Sequence, residues 1–201
     1  RVVPVVRALA RGGACVSIDT RNAATMQAAL DAGAAMINDV SAFTHDPAGV
    51  GTAARAECPV VLMHAQGDPR TMQDRPGYDF APLDVFDALE QRIAACEKAG
   101  IPRDRITVDP GIGFGKTVTH NLEILARLGV LHGLGCPILL GASRKSFIAR
   151  LSHGEPPKGR GPGSLAVALH GLAAGVAILR VHDVAETIQA VRLATAVDNV
   201  V

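Results

Sequence analysis

Short apolar runs recur along the chain at Cys15–Asp19, Met36–Val40, Val60–His64, Ile106–Asp109, Ile138–Gly141 and Ala177–Val181. Each is bounded by turn residues, the pattern of a buried strand. Between them lie stretches with helical spacing: Ala23–Ala32, Pro47–Glu57, Val85–Ala99, Leu122–Leu128, Lys145–Leu151, Ser164–Ala174 and Ala185–Thr195. Asp46 and Asp84 precede two of these as expected N-caps. Gly33 ends the first, and Gly100 with Pro102 ends the third. The opening Val2–Ala10 reads as a helix that follows an earlier strand. This β-α-β-α order predicts parallel strands covered by helices. It is expected to form one α/β domain over 1–201, either an open doubly wound sheet or a partial (β/α)8 barrel with about six of eight strands. A typical barrel takes ~250 residues, so the shortfall matches roughly two strands and one helix.

The polar residues fall at the strand ends. The runs finish at Asp19, Asn38 with Asp39, His64, Asp109, Ser143 with Arg144 and Lys145, and Arg180 with His182. Parallel α/β folds build their sites at the C-terminal ends of strands. One strand-end Asp alone is as readily a helix cap or turn former, but six such ends together point to a site. The other histidines end no strand. His45, His132 and His153 read as surface loop residues, His120 as a helix-start residue, and His170 as part of an apolar helix.

Charge and composition narrow the partners. Lys and Arg total 20 against 19 Asp and Glu, a net charge of +1, and aromatics make 3% with Tyr78 the one tyrosine. Neither a charge-driven nucleic-acid binder nor a base-stacking platform fits that balance. The longest apolar stretch, Leu165–Leu179, is broken by His170, Gly171 and Gly175 and is too short for a membrane span. The chain opens Arg1-Val2-Val3-Pro4, and no signal peptide is expected. Cys15, Cys58, Cys96 and Cys136 form no C-x-x-C pair, so reduced, mostly buried cytosolic thiols are expected.

Asp109 leads into Pro110-Gly111-Ile112-Gly113-Phe114-Gly115-Lys116. This is not a P-loop, because Gly111 and Gly115 are one residue too close for G-x-x-x-x-G-K-[ST]. It is either a plain βα turn or a glycine loop that lets backbone approach a flat ligand, with Phe114 packing on it. Arg180 and His182 lie two apart, so an extended strand presents both on one face with Ile178. An internal salt bridge or an anion such as a phosphate would satisfy them. Asp19, Asn38 and Asp109 supply acceptors and one amide, a set that suits a planar heterocycle with N–H donors. Two carboxylates holding a divalent metal is the alternative. Lys145 reads either as a solvated helix start or as a ligand-binding cation. His64-Ala65-Gln66-Gly67-Asp68-Pro69-Arg70 opens a long polar loop of the kind that serves as a lid or binding loop.

These strings resemble the dihydropteroate synthase family. The matching segments are Ser17-Ile18-Asp19-Thr20, Ile37-Asn38-Asp39-Val40, Leu62-Met63-His64 with Gln66-Gly67, Asp109 through Lys116, Ser143-Arg144-Lys145-Ser146, Gly163-Ser164-Leu165-Ala166 and Arg180-Val181-His182-Asp183. The resemblance implies a (β/α)8 barrel and a cytoplasmic transferase that is a sulfonamide target. It joins 4-aminobenzoate to 7,8-dihydropterin-6-ylmethyl diphosphate in folate synthesis, with Mg2+ as cofactor and a homodimeric assembly. Asp19, Asn38, Asp109 and Lys145 would hold the pterin, and Val40, Met63 and Phe114 would pack around it. Arg180 and His182 would hold the diphosphate, and Ser143 and Lys145 would lie near the aminobenzoate. Lys145, Arg180, His182 and Asp109 would carry the catalytic load. The family's first strand bears an Asn-x-Thr-Pro-Asp-Ser-Phe loop with an Mg2+-binding Asn, and its second bears a Gly-x-Glu-Ser-Thr-Arg-Pro loop. Neither string occurs in these residues, so the domain is expected to be N-terminally incomplete and the chain by itself poorly active. A methyltetrahydrofolate:corrinoid methyltransferase resembles the family in barrel and pterin pocket. The Ser143-Arg144-Lys145 string and the Arg180/His182 pair favour the diphosphate chemistry.

Overall fold

A computed structural model describes residues 1–67, 71, 72, 74 and 76–200. Asp68, Pro69 and Arg70 of the expected binding loop lie outside the described residues. The chain divides into two compact units, the first comprising Arg1–Ala65, Val85–Asp109 and Leu134–Cys136 and the second Gln66–Asp84, Pro110–Gly133 and Pro137–Val201.

The first unit is built on four parallel strands, β1 (Ser17–Asp19), β2 (Met36–Asp39), β3 (Val60–Met63) and β4 (Ile106–Asp109), hydrogen-bonded in that order. Ile37 pairs with Val60 and Val60 with Ile106, so a row of branched apolar side chains crosses the sheet. All four residues of β3 are buried, as expected for a strand covered on both faces. Helices α1 (Val3–Arg11), α2 (Ala23–Leu30) and α3 (Gly49–Ala56) belong to this unit, with α4 (Ala81–Lys98) from Val85 onward. Along α4, Val85, Leu89, Ile93 and Cys96 are fully buried, and their three- and four-residue spacing forms one stripe. The α2 end follows the sequence: Gly33 takes φ +104°, and Ala34 N–H returns to the Ala29 carbonyl.

The two predicted aspartate caps are corrected. Helix α3 begins at Gly49, beyond the expected Pro47, and Asp46 spans two helix starts. Its carboxylate accepts the Ala23 N–H of α2 at 2.8 Å and the Ala48 N–H at 3.0 Å. These bonds, the one from Ala23 foremost, hold Asp46 below the ordinary carboxylate range. Helix α4 begins four residues earlier than predicted, which puts Asp84 in its first turn. There its carboxylate accepts the Phe80 N–H at 3.1 Å.

The second unit pairs β5 (Leu139–Leu140) with β6 (Ile178–Leu179) in parallel and carries α5 (Val118–Ala126), α6 (Ser146–Leu151), α7 (Gly161–Ala173) and α8 (Val184–Asp198). Both strands are shorter than the apolar runs that predicted them. The pairing closes once Arg180 N–H donates to the Leu140 carbonyl at 3.0 Å. Helix α5 starts at Val118 rather than Leu122 because Thr117 caps it. The Thr117 hydroxyl accepts the His120 N–H, and the His120 ring Nδ1 accepts the Thr117 N–H. Helix α7 starts at Gly161 rather than Ser164, with Pro162 in its first turn. His170 stands within α7 as predicted and bonds the Leu125 carbonyl at 2.8 Å.

All four cysteines are free, but only Cys96 and Cys136 are buried; Cys58 is half-buried and Cys15 exposed. The expectation of mostly buried thiols therefore holds for two of them. Burial pushes the Cys96 thiol up to about 11. Among the described residues, no helix is long and apolar enough to cross a membrane.

Candidate active site

Strand register decides which end residues share a face. Asp19 pairs with Asn38, Asn38 with Val61 and Val61 with Thr107. Met63 pairs with Asp109 two positions further on. Paired residues of parallel strands, and residues two apart on one strand, lie on the same face. Asp19, Asn38, Met63 and Asp109 therefore project from one face of the first unit's sheet; Val40 lies in the turn just past β2, where strand alternation does not place it. Ile18, Ile37, Asp39, Leu62 and Val108 occupy the opposite face. Four of the first-unit residues singled out from the sequence are thus brought together. Asn38 is 4% exposed and Asp109 1%, whereas Asp19 is exposed. His64 extends the pairing, its N–H donating to the Asp109 carbonyl at 2.9 Å.

Asp39 ends the same strand as Asn38 yet serves another purpose. It is fully buried. Its carboxylate accepts the Ser41 N–H at 2.7 Å, the Ser41 hydroxyl at 2.6 Å and the Phe43 N–H at 3.2 Å. These bonds bend the chain through Ala42 and Phe43 at φ +47° and +61°, a conformation unusual for side-chain-bearing residues. Arg92 Nε donates to the Ala42 carbonyl at 2.9 Å. The sequence placed Asp39 at a strand end but held no sign of this staple, which depends on Arg92 fifty positions away.

In the second unit the glycine loop is held from inside. Gly111, Gly113 and Gly115 take φ +66°, +82° and +59°, the left-handed region where glycine alone is unstrained. The Lys116 ammonium is buried and donates to the Gly111 and Phe114 carbonyls, both at 3.0 Å. Asn121 of α5 accepts the Gly113 N–H at 2.7 Å and donates to the Thr117 carbonyl at 2.7 Å. The lysine of the Gly-Lys-Thr string thus ties its own loop together. Neither Lys116 nor Asn121 was singled out from the sequence, though a lysine inside a glycine loop was the available signal. Lys145 stands at the N-cap position of α6 without a side-chain capping bond and lays its ammonium 3.8 Å from the centroid of the Phe114 ring, within cation–π range.

Ser143, Arg144 and Lys145 have three different surroundings. Ser143 is buried, and its hydroxyl meets the His182 N–H at 3.3 Å and the His182 Nδ1 at 3.0 Å. Arg144 takes φ +57°. Its guanidinium forms a two-point bond to Asp183, with Nε to Oδ2 at 3.1 Å and Nη2 against Oδ1. The Ser164 hydroxyl accepts the Arg144 N–H at 2.9 Å, and the Arg144 carbonyl accepts from Arg160 at 2.8 Å. The Arg144 hydrogen bond is the main cause that holds Asp183 below the ordinary carboxylate range. Arg144 is therefore a structural brace between two residues expected to bind substrate.

Arg180 and His182 require a correction. Strand β6 stops at Leu179, so strand alternation alone does not place them. His182 is exposed and Arg180 half-buried, so the cost of a buried charge is no argument for either. Local packing positions them instead. The Arg180 guanidinium lies against Gly141, where an added Cβ would stand 2.5 Å from Nη2. His182 is held by Ser143.

A family model described as "Pterin binding enzyme" matches residues 1–182. The chain is 42% identical to the dihydropteroate synthase of Escherichia coli K12 over 98% of its own length and 69% of that protein. It is equally similar to the Haemophilus influenzae enzyme, over 93% of the chain and 68% of the relative. Among solved structures, dihydropteroate synthase from Stenotrophomonas maltophilia aligns with a TM-score of 0.97 at 42% identity, covering 100% of this chain and 76% of that one. The Xanthomonas albilineans enzyme, solved with 4-aminobenzoic acid, aligns at 0.94 and 42% identity, covering 100% of this chain and 71% of that one. These likenesses bear out the (β/α)8 barrel fold class, to which the chain contributes parallel strands. With such identity over nearly its whole length, the chain belongs to the dihydropteroate synthase family of pterin-binding enzymes.

Proposed function

We propose that the residues at this chain's strand ends serve the dihydropteroate synthase reaction. It condenses 4-aminobenzoate with 7,8-dihydropterin-6-ylmethyl diphosphate, giving 7,8-dihydropteroate and diphosphate. The observation that carries the assignment of residues is the shared sheet face. The register aligns Asp19, Asn38, Met63 and Asp109 there, and two of its polar members are almost wholly buried. Buried acceptors that share one face at the strand ends suit the N–H donors of a pterin ring. Val40 and Met63 supply apolar contact to the ring, and Phe114 a face to stack on.

Arg180 and His182 take the diphosphate, and Lys145 the pterin, with Ser143 and Lys145 near the aminobenzoate. The C–O bond to diphosphate breaks first, and its electron pair leaves on the phosphate oxygen. Cationic side chains placed where that charge develops are the main catalytic contribution. The pterin-methyl cation is stabilised by its own ring and by the Asp19 and Asp109 carboxylates. The arylamine nitrogen then attacks the methylene carbon and loses a proton. No side-chain nucleophile takes part. Mg2+ belongs to this proposal as a companion of the diphosphate. Among the described residues no three His, Cys, Asp or Glu side chains gather into a site for it.

A cytoplasmic homodimer completes the proposal. The second unit carries an open apolar groove of about 550 Å3 lined by Leu122, Leu125, Phe147, Ile148, Leu151 and Val167. Leu122 and Leu151 of this lining are exposed, apolar surface of the kind that favours association.

Asp109→Asn tests the site. It keeps the shape and removes the charge. Hydrogen bonds to charged groups contribute roughly 1.5–3 kcal/mol, so pterin affinity should fall about 10- to 150-fold with diphosphate affinity little changed. Unaltered pterin binding in calorimetry would remove Asp109 from the site.

A further inference from the structure

Beyond the site strand β3, Gln66 and Tyr78 are fastened to the glycine loop at Gly115, and Tyr78 also to α5 at His120. The backbone of Gln66 lies so close to Gly115 that a Cβ there would stand 2.4 Å from the Gln66 carbonyl oxygen. The Tyr78 hydroxyl donates to the Gly115 carbonyl at 2.8 Å. The Tyr78 ring meets the His120 ring edge-on, centroids 4.7 Å apart. The Gln66 side-chain amide also donates to the Gly77 carbonyl at 2.9 Å and accepts the Gly77 N–H at 3.3 Å. That two-point bond delivers Tyr78 to Gly115. Burial, and then the Asp84 carboxylate, push the ionisation of Tyr78 upward, so its hydroxyl stays a donor.

Gly115 stands between Phe114 and Lys116 in the chain. We infer that Gln66 and Tyr78 are positioning residues for the transferase reaction. They form a clasp on Gly115 that holds the 110–116 loop so that Phe114 and Lys145 face the substrate. This rests on the assignment of Phe114 to the pterin. Neither clasp residue acts on the substrate itself, and their effect passes through the loop backbone.

Tyr78→Phe removes one oxygen and keeps the ring packing on His120. Gln66→Glu keeps the shape and removes the donor to Gly77. In the purified protein, each should raise the KM for the pterin diphosphate about 3- to 10-fold, the ratio for one ordinary hydrogen bond. The kcat should stay within about 2-fold, the signature of lost substrate binding. Hydrogen exchange at the Gly113 and Phe114 amides should rise, because the first bonds Asn121 and the second the Gly111 carbonyl. Unchanged exchange in both variants overturns the clasp. Faster exchange or a lower melting temperature with an unchanged KM overturns the positioning role, provided Phe114→Ala does raise the KM. If Phe114→Ala leaves the KM unaltered as well, the assignment of Phe114 to the pterin falls, and the binding role of the clasp falls with it.

Discussion

The Lys145 ammonium stands 3.8 Å from the centroid of the Phe114 ring, which couples the cap of α6 to the glycine loop before any ligand arrives. A cation over an aromatic face contributes about 0.5–2 kcal/mol, depending on desolvation. Both side chains are half-buried, which favours the lower part of that range. A double-mutant cycle with Phe114→Leu and Lys145→Met should therefore show non-additive losses in pterin affinity, with a coupling of about 0.5–1 kcal/mol. Strictly additive losses would mean that the two residues act on the ligand separately.

Arg180 can be displaced without being mutated. A Cβ at Gly141 would stand 2.5 Å from Arg180 Nη2 and 2.9 Å from Cζ. The far end of that side chain would swing aside at little cost in stability. Gly141→Ala should therefore weaken binding of the diphosphate ester and leave a pterin without the ester unaffected. Loss of a charged contact corresponds to about 10- to 150-fold at most. Arg180→Lys should show a partial loss in the same assay, because a point charge lacks the planar fork. Equal losses for both ligands, with a marked fall in melting temperature, would point to a structural role for Arg180.

The Arg144–Asp183 pair carries a pH dependence with a definite sign. The folded-state pKa of Asp183 lies below its unfolded value, mainly through the Arg144 hydrogen bond. The unfolded state therefore binds the proton more readily. The stabilisation is complete above the unfolded pKa, about 3.9, and is lost as pH falls through the lower folded value. Asp183→Asn should lower the melting temperature at pH 7, and the difference from wild type should shrink steadily below about pH 4. A difference that persists unchanged into strong acid would show that the charge is not what matters. The same variant should disturb Ser143 and Lys145, since Arg144 lies between them with a left-handed backbone.

The six strand positions and most of the helices were legible in the sequence because their signals are local. Apolar runs bounded by Gly, Pro and Asp mark strands whatever they later pair with, and Gly33 and Gly100 end helices through their own backbone freedom. The residues at the strand ends were equally plain, and the family strings follow from order along the chain alone. Boundaries were less so. Asp46 and Asp84 looked like N-caps, but the first reaches back to Ala23 and the second lies inside a helix that starts at Ala81.

The division of labour among neighbouring polar residues was decided by the tertiary structure. Asn38 and Asp39 are adjacent in sequence, and strand register alone puts the first on the site face and the second against the turn through Phe43. Within Ser143-Arg144-Lys145, the middle residue becomes a brace because Asp183, 39 positions away, meets its guanidinium. Lys116 turns inward because the loop, curled by left-handed glycines, presents the Gly111 and Phe114 carbonyls to its ammonium. Sequence periodicity records which residues are apolar and which are not. The partner of a buried charge is fixed by contacts between distant segments, which exist only once the chain has packed.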